Sequence, residues 1–139
     1  MNVLVDTNVV LDVLLKRQLF YDDSLAIFRL ANTERIKGYL SATSMTNIFY
    51  LLRKAGNTPD ETYRMMDRLS TLFTIAPVSE TTVSAALSLR WRDFEDAVQF
   101  IAARENNAAY IITRNIQDFS SGSIEALTPE QFIQAIADI

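Results

Sequence analysis

Hydrophobic positions along the chain fall into two patterns, short unbroken runs and longer stretches with helical spacing. Val3, Leu4 and Val5 form the first run and predict a buried strand whose end is Asp6. A helix is expected from Asn8 to about Lys16. A second is expected over 22–37, where Asp22, Asp23 and Ser24 offer caps, Leu25, Phe28, Leu30 and Ala31 give an apolar side, and Gly38 ends the pattern. A second strand over 39–42 follows, then a helix opened by Thr43 or Ser44 and running to Gly56. Thr58, Pro59, Asp60 and Glu61 combine an N-cap, a preset φ and a capping acid ahead of a helix that reaches about Leu72.

Residues 73–78 read as a strand closed by Pro77, and 79–92 as a helix with Val83, Ala86 and Leu87 facing inward. Asp93 opens another helix, 108–113 form a strongly buried strand, and Thr128 to Gln131 repeat the capping pattern before a last helix through Ile136. Strands separated by helices, each crossover long enough for a βαβ unit, predict an α/β fold with a central, mostly parallel sheet flanked by helices on both faces. With no internal repeat and no linker, the 139 residues are expected to form a single domain, 1–139. Function in such a sheet belongs at the C-terminal edge of the strands, which points at Asp6 and at the segment from Arg114 to Phe119.

Composition narrows the chemistry. The chain is 49% hydrophobic with three Gly and three Pro, as in ordinary globular proteins. It contains no Cys and no His, which excludes disulfide scaffolds, thiol nucleophiles, structural zinc and histidine bases. Hydrolytic chemistry therefore falls to carboxylates. A net charge of -4 argues against a protein that coats nucleic acid. Local contacts would come from Lys16, Arg17, Arg53, Lys54, Arg90, Arg92 or Arg114, unless these are solvated surface. Residues 1–6 show no basic segment before an apolar one, and no apolar run approaches the roughly 20 residues of a membrane span, so a cytoplasmic location is expected.

Three acidic segments stand out. Asp6, directly after an apolar run, must be solvated, paired or used; the plain alternative is a helix cap, although Thr7 and Asn8 beside it suggest a polar pocket. Asp96 lies in the first turn of a helix whose following residues leave little polar face. The alternative there is Asp93 as N-cap with Asp96 as a favourable charge, and the two roles are compatible. In the third segment, Thr113 to Phe119, a buried strand opens into a loop carrying Thr113, Asn115 and Asp118, which a surface loop with Asx turns would also explain. Oxygen-only ligands would suit Mg²⁺ or Mn²⁺.

Asp6-Thr7-Asn8-Val9-Val10-Leu11-Asp12, then Asp96-Ala97 at the head of an Ala-rich helix, then Thr113-Arg114-Asn115 to Asp118-Phe119 resemble the PIN-domain nucleases, including toxins of the VapC type. The resemblance covers nearly the whole chain, down to Leu127-Thr128-Pro129-Glu130-Gln131-Phe132. It implies a PIN-like fold, an acidic pocket that binds Mg²⁺ or Mn²⁺, cleavage of single-stranded RNA to 5′-phosphate and 3′-hydroxyl ends, and often a homodimer inhibited by a cognate antitoxin. Apolar residues at 49–52 and 65–72 also speak for a homodimer. One departure stands in the helix after the second strand, where the family usually has Glu and this chain has Asn47. Asp93, one turn before Asp96, is the better substitute acid; Asp12 is expected to be exposed or salt-bridged.

The expected reaction is metal-assisted phosphodiester hydrolysis with Asp6, Asp96 and Asp118 holding the ion, possible help from Asp93, and Thr7, Asn8, Asn47, Thr113 and Asn115 orienting ligands or substrate. Arg114 is expected to meet the scissile phosphate. A haloacid-dehalogenase-type phosphatase would need an Asp where Asn8 stands, and a response-regulator receiver would need an acidic pair and a late Lys. The remaining alternative is a PIN-like module that binds RNA or a protein partner and has lost turnover through Asn47.

Overall fold

The computed structural model describes residues 1–137. Five strands form one sheet in the order β3-β2-β1-β4-β5, and every pairing is parallel. In chain order these are β1 (Asn2–Val5), β2 (Lys37–Ser41), β3 (Thr74–Ala76), β4 (Tyr110–Ile112) and β5 (Glu125–Leu127). The helices are α1 (Thr7–Leu14), α2 (Tyr21–Asn32), α3 (Ala42–Lys54), α4 (Pro59–Leu72), α5 (Glu80–Leu89), α6 (Phe94–Glu105) and α7 (Pro129–Ala137). A short 3-10 turn, Ile116–Phe119, follows β4.

The central strand shows why its sequence is an unbroken apolar run. Val3 and Val5 enter a core shared with α1, α2, α3 and α7 through Val9, Ile27, Ile48 and Phe132, while Leu4 enters the opposite core with Ala97, Ile101, Ile111 and Phe119. Alternation sends side chains to both faces, and both faces are covered. In α6, every residue from Ala97 to Ala103 is buried, because small alanines let the helix lie close to the sheet on one side and to α5 on the other. Among the described residues no helix is long and apolar enough to cross a membrane.

Several expectations need correction. The second helix ends at Asn32, five residues short of the expected stop, where Glu34 adopts a left-handed φ of 58° and the Arg35 amide returns to the Leu30 carbonyl. That is a helix-terminating turn made without glycine, so Gly38 marked β2 instead. α3 is capped by Ser41, whose hydroxyl accepts the Ser44 amide, and neither Thr43 nor Ser44 fills that role. Leu87 is exposed; α5 turns Thr82 and Ala86 inward. β5 was not expected at all: three residues beginning with an exposed Glu carry no strand pattern, and pairing with β4 alone makes them a strand. By contrast, the capping boxes at Thr58 with Glu61 and at Thr128 with Gln131 form as expected.

The order of strands reverses direction around β1, whose neighbours are β2 on one side and β4 on the other. The Asp6 amide donates to the Ile112 carbonyl at 2.9 Å, so the ends of β1 and β4 are stitched together at one rim. Chain segments diverge there to opposite faces, and the crevice between them is the usual place for a site in an open parallel sheet.

Candidate active site

Asp6 occupies the N-cap position of α1, but its side chain makes no capping hydrogen bond. Its carboxylate instead accepts from Gln99 Nε2 on α6 at 3.0 Å and from Thr113 Oγ1 after β4 at 2.8 Å. Burial raises its pKa; the bonds from Gln99, Thr113 and the Thr7 backbone offset part of the rise, and the charge of Asp118 adds to it. Strand, helix and loop thus converge on one buried carboxylate, a more demanding arrangement than a cap requires.

Asp93 caps α6, its Oδ1 accepting the Asp96 amide at 3.1 Å. The expected capping role of Asp93 is met by this bond. Asp96 is half-buried, and its pKa is pushed up to about 7 by burial first and then by the charges of Asp93, Asp6, Asp118 and Glu95. Asp118, in the 3-10 turn, is exposed and close enough to act on both Asp6 and Asp96. The three expected acids therefore share one electrostatic neighbourhood. Among the described residues, however, no three acidic side chains stand close enough together to enclose an ion.

Glu95 was missed by sequence reasoning. It is half-buried, accepts from Asn47 Nδ2 at 3.3 Å on each oxygen, and has its pKa raised by burial and by the charges of Asp6 and Asp93, against the lowering effect of Asn47. Asn47 is thus the amide partner of an acid whose carboxyl feels the charges of Asp6 and Asp93. Gln99 was also missed. A signal existed: it is the one polar residue in the buried run Ala97 to Ala103, four positions after Glu95 and three after Asp96 on neighbouring turns. A fully buried amide in an apolar run calls for a partner, and that partner is Asp6.

The remaining expected residues are placed as follows. Asn8 Oδ1 accepts the Arg114 amide at 3.3 Å, and Thr113 Oγ1 accepts the Asn115 amide at 3.0 Å, so both hold the loop after β4. Thr7 Oγ1 and Gln99 Oε1 are buried without a hydrogen-bond partner. Each belongs to a residue adjoining or bonded to Asp6, which leaves acceptor capacity beside that carboxylate. Arg114 turns away from the acids: its Nε donates to Asp12 at 2.7 Å, and its guanidinium lies over the Phe20 ring at 4.1 Å. Asp12 is fully buried rather than exposed, and is held by Arg114, Arg17 and Ser24. The salt-bridged half of the expectation for Asp12 stands, and the residue lies outside the acidic neighbourhood.

Residues 2–117 match the family model of the PIN domain. The chain belongs to the PIN domain family. Similar solved structures include VapBC2 from Rickettsia felis bound to a DNA fragment from their promoter, 18% identical with a TM-score of 0.70 over 92% of this chain and 98% of that one. VapC20 from Mycobacterium tuberculosis, a sarcin-ricin loop cleaving toxin, is 17% identical with a TM-score of 0.70 over 88% of this chain and 97% of that one. A toxin-antitoxin complex from Klebsiella pneumoniae is 21% identical with a TM-score of 0.68 over 91% and 97%. At these identities the likeness is one of fold. No curated protein matches the chain. For a PIN domain, the five-stranded parallel sheet with helices on both faces is the expected architecture, and the acids lie at its C-terminal rim.

The donors at this rim fit a hard divalent cation. They are oxygens only, from carboxylates that already raise one another's pKa and from side chains with unused acceptor oxygens beside Asp6.

Proposed function

We propose that this PIN domain is a divalent-metal-dependent endoribonuclease that cleaves single-stranded RNA, and that it serves as the toxin of a toxin-antitoxin pair. The observation that carries the reading is the half-buried carboxyl of Asp96, which shares one rim with Asp93, Asp6, Asp118 and Glu95 and is held at about 7 by burial first and then by their charges. A stable fold has no use for so many like charges at one rim, whereas a cation-binding site does.

In this reading Asp6, Asp96 and Asp118 hold Mg²⁺ or Mn²⁺, and Glu95 supplies a fourth negative charge. The bound ion supplies a more acidic water and offsets charge on the phosphoryl oxygens. Gln99 and Thr113 fix the direction of Asp6, Asn47 fixes Glu95, and Asp93 fixes the start of α6 so that Asp96 points from a rigid first turn. The chain has no His and no Cys, so carboxylates and a water bound by the ion are the groups that would handle protons here. Arg114 keeps the loop after β4 in register by binding Asp12 rather than by meeting substrate.

The toxin assignment rests on the PIN family together with the VapBC2 and Klebsiella neighbours, which are assemblies of toxin with antitoxin. Exposed Tyr50 on α3 and Tyr63 on α4, the latter stacked on Phe49, supply apolar surface for a homodimer or for an antitoxin. The cytoplasm, where RNA substrate and antitoxin would be met, is the proposed location. A labelled single-stranded RNA incubated with the purified chain tests the reading. Cleavage with Mg²⁺ or Mn²⁺ that stops with EDTA and with Asp96→Asn supports it. Cleavage unaffected by both, or no cleavage under any divalent condition, overturns it, and binding without cleavage would favour the turnover-deficient module.

A further inference from the structure

The acidic rim opens into a cavity of about 820 Å³ whose lining includes Arg90, Trp91 and Arg92 as well as Asp93, Asp96 and Asp118. An RNA strand approaching these acids meets a repulsive field, and the chain's net charge of -4 offers no general attraction. The required attraction must therefore be local. Arg17 and Arg114 are tied to Asp12, whereas among the described residues neither Arg90 nor Arg92 forms an ion pair, although carboxylates line the same cavity.

The two arginines are held on a stiff turn. α5 ends at Arg90 in the left-handed region, at φ 54° and ψ 34°, with its amide donating to the Leu87 carbonyl. This is the left-handed turn that also ends α2 at Glu34, and it carries the chain from α5 towards α6. Trp91, between the two arginines, is the anchor: its ring packs against Phe100 at 5.1 Å and Phe119 at 6.3 Å. Anchoring the middle residue leaves its exposed neighbours as cationic posts beside the acids, and Asp93 then begins α6.

Resting on the nuclease reading above, we infer that Arg90 and Arg92 form a phosphate-binding lip that seats the backbone of single-stranded RNA next to the scissile position. The cavity has the size of an ordinary small-ligand pocket, room for a short stretch of flexible strand. Guanidinium groups suit phosphate oxygens in geometry, and charges left unpaired in the free protein are available without breaking an existing bond.

The test is fluorescence anisotropy of a labelled single-stranded oligoribonucleotide with the full chain in EDTA, so that binding is read without cleavage. The double substitution Arg90→Gln with Arg92→Gln should weaken binding about tenfold at low salt and reduce the slope of log K against log salt by roughly 1.4, the loss of about two phosphate contacts on a single strand. Arg90→Lys with Arg92→Lys should keep most of the slope. Lys37→Gln, an equal charge change per residue at the start of β2, should leave it unchanged. Wild-type affinity and slope in the double Gln variant, or an equal loss with Lys37→Gln, overturns the lip while leaving metal-dependent cleavage standing. A wild-type chain that neither binds nor cuts RNA overturns the lip and the nuclease reading together.

Discussion

The Asn47 side-chain nitrogen lies 3.3 Å from each carboxylate oxygen of Glu95, a contact that reaches from α3 to the first turn of α6. In the proposed metal site it lets Glu95 supply the charge that Asn47 does not. Glu95→Gln should therefore reduce the rise in melting temperature produced by Mn²⁺, whereas Asn47→Glu should lower metal-free stability by setting two carboxylates side by side and should enlarge that rise. Thermal unfolding with and without Mn²⁺ reads both. Metal-induced shifts identical to wild type in the two variants would place this pair outside the metal site.

Asp96 gives the pH dependence a definite sign. Its carboxyl ionises at about 7 in the folded chain against 3.8 in the reference state, so the folded form holds a proton that the unfolded form releases in that interval. Metal-free stability should fall as pH rises from about 4 to 7 and then level off. For a half-exposed group, solvent screening reduces the effect to on the order of 1 kcal/mol. Asp96→Asn should flatten this part of the profile and raise the melting temperature at pH 8 in EDTA. The same variant should lose more than about a hundredfold in cleavage, since even residues supporting a metal ligand matter at the ten- to hundredfold level. A profile unchanged by the substitution would show that Asp96 does not feel its acidic neighbours.

Thr113→Val keeps the shape of a buried side chain and removes the donor to Asp6. A loss of about 1–3 kcal/mol is expected in chemical denaturation, from the carboxylate left short of a bond. Divalent affinity should also fall, because the freed carboxylate loses its direction. Calorimetric titration with Mn²⁺ separates that second effect from the first; unaltered affinity in a destabilised variant would make Thr113 a packing residue only.

Asp12→Ala should destabilise the chain by about 3 kcal/mol, near the lower end for a broken buried pair because Arg114 retains some solvent contact. The loop after β4 would lose its tie to α1, so cleavage should fall although Asp12 lies outside the acidic neighbourhood. Urea unfolding and a cleavage assay on the same preparation check this. A stability loss with full activity would show that the tie does not position Asp118.

What the sequence revealed and what it hid have separate physical causes. Asp6 and Asp118 were legible because a parallel sheet directs function to strand ends, and the unbroken runs at 3–5 and 108–113 locate two of those ends. Asp96 was legible because a charge in a helix of buried alanines needs a use. Glu95 was hidden because an acid in the first helical turn is unremarkable, and only the approach of α3, through Asn47, makes it part of the site. For Asp12 the salt bridge was among the expectations but its burial was not, because Arg114, which neutralises it, arrives from the far end of the chain. β5 was hidden because its three residues owe their conformation to β4 rather than to local preference.

The bond from Thr113 to Asp6 joins residues 107 positions apart. Synthesis runs from the N-terminus, so Asp6 leaves the ribosome long before β4 exists to pair with β1, and Asp118 follows later still. Until then, the first strand has only β2 beside it and its terminal carboxylate lacks the Thr113 donor. A nascent chain of this protein is therefore unable to bring Asp6, Asp96 and Asp118 to one rim until the segment after β4 has been made.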